Sequence, residues 1–436
     1  MKKFNALLSC ALGAAMLCGC ANVGKSTLLA TPAQPSAFTY TDSDTDNFQT
    51  VSSGVNAFSA RFAEAVYAEY EGDANFAVAP VSVYMALALA SVCAAGDTRA
   101  QLLSALGTTE EELAANFAYL YSSLNRSYTG GQIAAANSIW MQEGPDFIEA
   151  CLKALAGEYF CYPYAADFRG DNINANAALR HFISEATRGL IDRDFQLSTD
   201  TCFALVNTLY LKDVWKLDGL DLPYTDNEVT FTRADGSEVL KPFLRGYYNY
   251  GAVQRGENYS TFYTVTANGY RIKFILPDDG TPLSDVFTQE TITAVHSITD
   301  YGGVNDELKE RYYTRCLFPE FEAEYDEDVK GVLSDTFGIE DFFVGGECNI
   351  SSLLAGSVDD RGYPVYCSRV QHTTKLSVNK EGIEGAAVTI VANEGTGAEL
   401  DEYEHIYYDF VVDRDFGYIV ADSYGTILFT GAVNNI

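Results

Sequence analysis

The sequence has few basic residues and few histidines. Its 436 residues include 28 Lys and Arg against 60 Asp and Glu, which gives a formal net charge of −32, and only four histidines. Proteins that bind nucleic acid neutralise phosphates with clustered Lys and Arg, so the composition argues against a nucleic-acid partner. The acidic excess suits a soluble protein on an outer surface. It would also speed encounter with cationic proteins, an effect that salt would screen.

Catalytic and metal-binding patterns are also missing. The sequence contains no GxSxG nucleophile turn, no GxGxxG dinucleotide motif and no HExxH zinc motif. None of the histidines lies in a context that marks a catalytic base. Seven cysteines follow residue 20, without a CxxC pair or a histidine at zinc-ligand spacing. We therefore expect no catalytic residue, no metal site, no cofactor and no disulfide framework, with at least one thiol unpaired.

The first 19 residues read as an export signal. Lys2 and Lys3 precede an apolar run, Ala6–Leu17, that is too short to remain as a membrane span. The run ends in Leu17-Cys18-Gly19-Cys20, which resembles the bacterial lipobox. That resemblance implies cleavage before Cys20, a lipid on its thiol, and an anchored protein at the cell surface or the extracellular side of a membrane. Ordinary cleavage nearby, with no role for Cys20, is the alternative.

Residues 20–52 and 53–436 differ in composition. The first stretch is rich in Ser, Thr, Asp, Ala and Pro without apolar periodicity, which predicts a flexible linker that carries the lipid. The second has no further break in composition, so we expect one large domain with a continuous core.

Apolar periodicity within the domain predicts early helices and late strands. Phe58, Phe62, Val66 and Tyr70 recur at four-residue steps and mark a helix. Ser82 follows Pro80 and is predicted to cap the next helix. The uninterrupted apolar run Cys202–Lys212 predicts a strand buried on both faces, and Cys202, like Cys93, is expected to be buried. This order of elements is typical of an α+β fold.

Six segments in the same order resemble one family, the serpins. They carry the family's strand-Pro-x-Ser-helix signature, the next strand, a helix ending in Thr-x-Gly-x-Ile, a strand with Asn and Trp, the strand before the mobile loop and the closing pair of strands. The segments are Asn75–Gly107, Ala136–Gly144, Ala178–Ile191, Phe203–Lys216, Ser368–Gly382 and Asp415–Val433.

The resemblance implies a fold of three β-sheets and about nine helices, with an exposed reactive-centre loop at about residues 380–408. It also implies a mechanism in which a serine protease attacks the loop and forms an acyl-enzyme. The cut loop then enters the central sheet as a new strand and distorts the trapped enzyme. The hinge of this loop would comprise Gly382, Ile383, Glu384, Gly385, Ala386 and Ala387.

The hinge residues have the properties that insertion requires. An inserted strand points alternate side chains into the space beneath the covering helix. Counted from Ile383, one alternate set is uncharged, and Glu384 falls in the opposite set. No proline interrupts the segment. The alternative is a static loop or a permanent edge strand, which would bury little because its inner half is glycine and alanine.

Two groups of residues are implied to control opening of the central sheet. Ser82, Asn207 and His372 occupy the positions of a hydrogen-bonded cluster beneath the opening strands, although a lone histidine bonded to backbone is the alternative for His372. At the top of the sheet, Lys380 and Glu320 match a family ion pair with the charges exchanged. We predict that these two charges lie within salt-bridge distance of each other, near Trp215.

The family spacing places the scissile bond at Thr396-Gly397. No Lys or Arg occurs between Glu381 and Phe410, which disfavours trypsin-like targets, and the small residues favour an elastase-like pocket. Glu394 and Glu399 leave an acid-specific protease open if the register differs, and a cysteine protease is a further alternative. A non-inhibitory serpin, acting as a binding or carrier protein, is the other alternative. We expect a monomer whose partners are serine proteases and, through the lipid, a membrane.

Overall fold

The computed structural model describes residues 24–35, 45–70, 74–215, 224–383 and 403–436. Nine α-helices occur in these ranges, and none of them is long and apolar enough to cross a bilayer. They are α1 Thr45–Glu69, α2 Pro80–Cys93, α3 Gly96–Leu106, α4 Glu110–Ser123, α5 Glu149–Gly157, α6 Asn172–Ala186, α7 Leu283–Val286, α8 Gln289–Ser297 and α9 Lys330–Phe337.

Twenty strands occur in the same ranges. They are β1 Thr27–Leu28, β2 Phe76–Val78, β3 Arg126–Tyr128, β4 Gly131–Gln142, β5 Cys161–Ala166, β6 Phe203–Val214, β7 Tyr224–Thr232, β8 Glu238–Arg245, β9 Asn249–Tyr250, β10 Gln254–Arg255, β11 Tyr259–Val265, β12 Arg271–Pro277, β13 Val304–Asn305, β14 Glu310–Phe318, β15 Phe321–Asp328, β16 Gln371–Asn379, β17 Gly382–Ile383, β18 Glu404–Val411, β19 Phe416–Ala421 and β20 Ile427–Val433.

The strands form three sheets. The central sheet has the order β1-β5-β4-β6-β17-β16-β15, with β3 paired to β4. The second sheet has the order β10-β11-β12-β19-β20-β2, and the third has β13-β14-β8-β7 with β9 and β18 paired to β14. The predicted α+β fold of three sheets and about nine helices is therefore confirmed.

The central sheet is covered on both faces. The main hydrophobic core lies on one face, and a smaller aromatic cluster joins α6 to the other. In that cluster the ring of Trp140 stacks on Tyr164 at 4.7 Å between centroids, and both rings meet Phe182 of α6 edge-on. Helix α6 therefore lies over this face of the sheet.

Three sequence predictions need correction. Residues 24–35 belong in part to the sheet and are not a free linker: Thr27 pairs with Ala165 on the edge strand β5, whose backbone groups would otherwise lack a partner. Ser82 does not cap α2, because the helix begins at Pro80 and Ser82 lies within its first turn. Cys202 is only half-buried, whereas Cys93 is buried as predicted.

Candidate functional site: the open seam of the central sheet

The site lies at the end of β16, where the chain reverses and starts a short strand. Lys380 and Glu381 form a turn, after which β17 pairs antiparallel with two neighbours. Ile383 lies opposite Val378 of β16 and opposite Asp213 of β6. Its side chain is fully buried. The first two hinge residues therefore already occupy a place between β6 and β16.

Gly382 is the residue that lets the chain enter at this point. Its φ of +153° belongs to the region that favours glycine. A Cβ built on Gly382 would lie 2.0 Å from the carbonyl oxygen of Asp213. Any side chain at this position would therefore collide with the backbone of β6.

We call the boundary between β6 and β16 the seam. An indole hydrogen bond closes its top. Trp215 Nε1 donates to the carbonyl oxygen of Asn379 at 2.7 Å, and the Trp215 ring meets Phe318 edge-on at 5.7 Å. The side-chain oxygen of Asn379 accepts the N–H of Glu381 at 2.9 Å, which fixes the turn. The ends of β6 and β16 are thereby held together above β17.

Glu320 also supports the turn, through the main chain. Its Oε1 accepts the backbone N–H of Lys380 at 2.7 Å. The contact differs from the predicted ion pair. Both residues are described by the structure, and no salt bridge joins the Lys380 ammonium to the Glu320 carboxylate. Desolvation is the larger cause, and the hydrogen bond to Glu320 the smaller, of a rise in the pKa of Tyr224 to about 12. The carboxylate of Glu320 therefore joins the turn to β7.

Asp213 is a buried carboxylate directly beside the hinge. Its two oxygens accept the backbone N–H of Asn268 at 3.0 Å and the side-chain amide of Asn268 at 2.6 Å. Burial raises the pKa of Asp213 above its usual range, although the bonds from Thr266 and Asn268 oppose the shift. Sequence patterns did not single out Asp213, which lies one residue beyond the predicted strand Cys202–Lys212; its position directly after that apolar run was the available signal.

Below β17 the seam is open. In the ranges that the structure describes, no backbone pairing joins β6 directly to β16. A cleft lies there, between the two strands and α6. It is lined by Leu179, Ile183, Ile191, Phe195, Leu197, Ala204, Leu205, Val206, Asn207, Thr208, Arg369, Gln371 and Thr373.

The cleft corrects the prediction that β6 is buried on both faces. Leu205, Val206 and Asn207 are half-exposed because they face the cleft. Buried backbone N–H and C=O groups need partners, so the facing edges of β6 and β16 are suited to accept a strand.

Comparison with known proteins agrees with this geometry. Residues 53–436 match the family model described as "Serpin (serine protease inhibitor)". The chain belongs to the serpin family. The rice protein named putative serpin-Z6C is 27% identical over 412 residues, covering 87% of this chain and 96% of the relative. Serpins are mostly protease inhibitors and not catalytic enzymes.

Solved serpin structures share the fold. The native state of the thermophilic serpin tengpin superposes with a TM-score of 0.74 at 21% identity, covering 94% of this chain and 100% of that one. A thyroxine-binding globulin in complex with thyroxine gives a TM-score of 0.70 at 20% identity, covering 89% of this chain and 99% of that one. These likenesses show the fold alone.

In this serpin the three residues implied to form the sheet-opening cluster are not hydrogen-bonded to one another. His372 Nε2 accepts the backbone N–H of Ala79 at 3.1 Å, which is the alternative that the sequence left open. The side-chain amide of Asn207 donates to the side-chain oxygen of Asn137. The separation has a physical cause, because the cleft divides β6, which carries Asn207, from β16, which carries His372.

The environment of His372 favours the neutral imidazole. The ring is 5.9 Å from Phe62 and 5.9 Å from Tyr325, measured between centroids, and the residue is 5% exposed. Burial lowers the pKa of His372 to about 3, and the nearby Asp326 only partly opposes this shift. A neutral Nε2 can accept the N–H of Ala79, so His372 links β16 to the start of α2.

Several predicted sites lie outside the described residues. They are the hinge positions Glu384, Gly385, Ala386 and Ala387, the bond Thr396-Gly397, and the lipidated Cys20. All seven cysteines that the structure describes carry free thiols, and no cluster of metal-binding side chains occurs among the described residues.

One nucleotide-binding pattern does occur in the sequence, at Gly19–Ser26, where the letters fit GxxxxGK[ST]. A phosphate-binding loop requires a strand before it and a helix after it. Here Ser26 leads into strand β1, and Lys25 Nζ binds Asp171 at 2.7 Å. The pattern therefore lacks the structural context of a phosphate site.

Proposed function

We propose that this serpin inhibits serine proteases as a suicide substrate. The protease serine attacks the carbonyl carbon of Thr396, the amine of Gly397 leaves with a proton, and an ester joins the loop to the enzyme. Insertion of the loop between β6 and β16 then carries the ester-bound enzyme away from its starting position. Hydrolysis stalls because the distorted active site no longer positions water.

The observation that carries this proposal is the position of β17. Gly382 and Ile383 pair with β6 on one side and with β16 on the other. Further insertion has to extend these existing ladders, and the cleft lies in its path. Each added residue gains backbone hydrogen bonds worth about 0.5–1.5 kcal/mol net apiece. The open seam is therefore suited to release free energy when the loop enters.

The residues around the proposed scissile bond favour an elastase-like target. Gly395 and Ala398 flank the Thr396-Gly397 bond in sequence, and no Lys or Arg occurs between Glu381 and Phe410 to fill a trypsin-like pocket. An acid-specific or cysteine protease is the alternative if the register of the loop differs. We further propose that the protein is an exported monomer anchored through a lipid on Cys20 at the cell surface or the extracellular side of a membrane.

A denaturing gel after incubation with an elastase tests the proposal. Inhibition by trapping gives a band at the summed mass of the two proteins that survives boiling in detergent. Clean cleavage of the loop without that band would instead identify a non-inhibitory serpin, a binding or carrier protein. Trypsin serves as the control protease and should form no such band.

A further inference from the structure

Three of the free thiols lie together in the main hydrophobic core. Cys93 ends α2, Cys151 lies in the first turn of α5, and Cys161 begins β5. The thiols of Cys93 and Cys151 are hydrogen-bonded to each other, and Cys161 lies within electrostatic range of both. We call these three residues the thiol cluster.

Contact with a second thiol distinguishes Cys93 and Cys151 from a cysteine that only fills space. A buried cysteine often serves as a small apolar side chain, and Cys316 is an example, because burial alone raises the pKa of its thiol. The Sγ of Cys151, in contrast, lies against the last turn of α2, where it donates to the carbonyl oxygen of Val92 at 3.8 Å. Helices α2 and α5 pack against each other here. Thiols in contact need only small movements to reach the S–S bond length of about 2.0 Å.

The two thiols differ in their access to solvent. Cys151 is 7% exposed, whereas Cys93 is fully buried. A small oxidant that enters from the surface therefore meets the Cys151 sulfur first.

The surroundings of Cys151 favour its thiolate. The hydrogen bond from Cys93 lowers the pKa of Cys151, and the nearby guanidinium of Arg99 acts in the same direction, although burial opposes both. Arg99 Nε donates to the carbonyl oxygens of Ser91 and Ala94 at 3.1 and 2.8 Å, which holds the guanidinium at the end of α2. Burial raises the pKa of Cys93 and keeps it a protonated donor. A thiolate beside a cation is the reactive form of cysteine, and an adjacent thiol converts its oxidised form into a disulfide.

We propose that Cys93 and Cys151 are an oxidisable pair, in which Cys151 is the nucleophile and Cys93 the resolving thiol. The Cys151 thiolate attacks one oxygen of hydrogen peroxide and the O–O bond breaks. The hydroxide that leaves takes up the proton that Cys151 gave up, and Cys151 becomes a sulfenic acid. The Cys93 sulfur then attacks the sulfenic sulfur, and the hydroxyl leaves with the Cys93 proton as water. Two thiols and one peroxide thus give one disulfide and two waters.

The disulfide would join α2 to α5 through the core. Positions 93 and 151 are 58 residues apart in the chain. A cross-link of this span restricts the unfolded chain and thereby stabilises the folded protein. Disulfides persist outside the cytoplasm, so the export proposed for this protein would favour the linked form.

Mass spectrometry of the full-length, reduced protein after exposure to hydrogen peroxide tests this proposal. The remaining thiols are alkylated in denaturant, and the protein is digested without reduction. We expect a pair of peptides joined through Cys93 and Cys151, lighter by two hydrogens than the sum of its parts and separated by dithiothreitol. Oxidation of the folded protein should raise its Tm by about 5 °C, and dithiothreitol should reverse the rise.

Substitutions assign the role of each thiol. Cys151→Ser should remove both the cross-link and the rise in Tm. Cys93→Ala should also remove them, and it should leave Cys151 as a sulfenic acid that dimedone labels after peroxide treatment. Cys202→Ser is the matched control, because Cys202 is half-buried and lies outside the thiol cluster. This control should keep the cross-link and the rise in Tm.

Recovery of Cys93 and Cys151 from the peroxide-treated wild-type protein as separate alkylated peptides would overturn the proposal. A cross-link between Cys151 and Cys161, or loss of the rise in Tm in Cys202→Ser, would overturn it as well. A link between Cys93 and Cys151 that left Tm unchanged would contradict the stabilisation. Elastase takes no part in these measurements, so failure of the proposed inhibition would leave their outcome unaffected.

Discussion

The indole of Trp215 and the carbonyl of Asn379 are joined by a 2.7 Å hydrogen bond, although 164 residues separate them in the chain. This bond ties the end of β6 to the end of β16 directly above the first inserted residues. It holds the top of the seam closed while the cleft below remains open. The contact thereby sets the point at which a new strand enters.

Replacement of Trp215 by Phe should weaken the top of the seam. The variant keeps the ring beside Phe318 but leaves the Asn379 carbonyl without its donor, at an expected cost of about 1–2 kcal/mol in unfolding free energy. Urea unfolding monitored by circular dichroism measures the change. Trp140→Phe is an informative comparison because its Nε1 bonds only Ser138, away from the seam. A Trp215→Phe variant as stable as the wild-type protein would show that the bond contributes nothing.

Gly382→Ala should expel the hinge from the sheet. The new Cβ would overlap the Asp213 carbonyl oxygen, so Gly382 and Ile383 would lose their pairing with β6. Faster amide hydrogen exchange at Ile383 and a lower Tm are the expected results. Gly331→Ala in α9 is the matched control, because its Cβ would meet nothing within 4 Å. Unchanged exchange at Ile383 in Gly382→Ala would contradict the geometry of the hinge.

Ile383→Arg should convert the inhibitor into a substrate. The Ile383 side chain is fully buried, and an unpaired guanidinium there is costly to desolvate. Insertion should therefore be slower than hydrolysis of the acyl-enzyme. The number of serpin molecules consumed per elastase inhibited should rise at least tenfold, whereas Ile383→Val should stay close to wild type. Undiminished inhibition by Ile383→Arg would show that inhibition does not depend on burial of the Ile383 side chain in the sheet.

His372 should make stability depend on pH. Its pKa is about 3 in the folded protein and 6.5 in its ordinary state. Between these pH values His372 binds more protons in the unfolded chain than in the folded protein. The stability that the neutral His372 provides is therefore complete above pH 6.5 and is lost as pH falls towards 3. The slope is at most about 1.4 kcal/mol per pH unit. His372→Gln can still accept the Ala79 N–H, and it lacks this dependence.

Thermal unfolding of both proteins from pH 7 to pH 4 measures the effect. The Tm of the wild-type protein should fall more steeply with acid than that of His372→Gln. His296, whose pKa burial lowers to about 4, is present in both proteins and cancels in the comparison. Parallel curves would mean that His372 is not held neutral by the fold.

The sequence was sufficient for the fold and for the neighbourhood of the hinge, because family motifs fix which strands are adjacent. Gly382, Trp215 and Glu320 lie around one turn, as their motifs implied. The atoms in contact could not be predicted in the same way. Glu320 bonds the main chain of Lys380, and a charge exchange in sequence does not reveal whether an ammonium or an amide is nearer.

The cleft explains most of the remaining differences. The sequence predicted a fully buried β6 and a cluster that joined Asn207 to His372. Both expectations assume that β6 and β16 are neighbours along their whole length. In the structure they share only β17 at the top, and Asn207 turns to Asn137 on β4. Strand separation depends on the whole sheet, which local patterns do not encode.

A crystal structure of the protein cleaved in its loop tests the central claim most directly. We predict that β17 continues past Ile383 as a full strand between β6 and β16, and that it fills the cleft beneath α6. A cleaved protein in which β6 and β16 remain without a strand between them below Ile383, or pair directly with each other, would contradict the account.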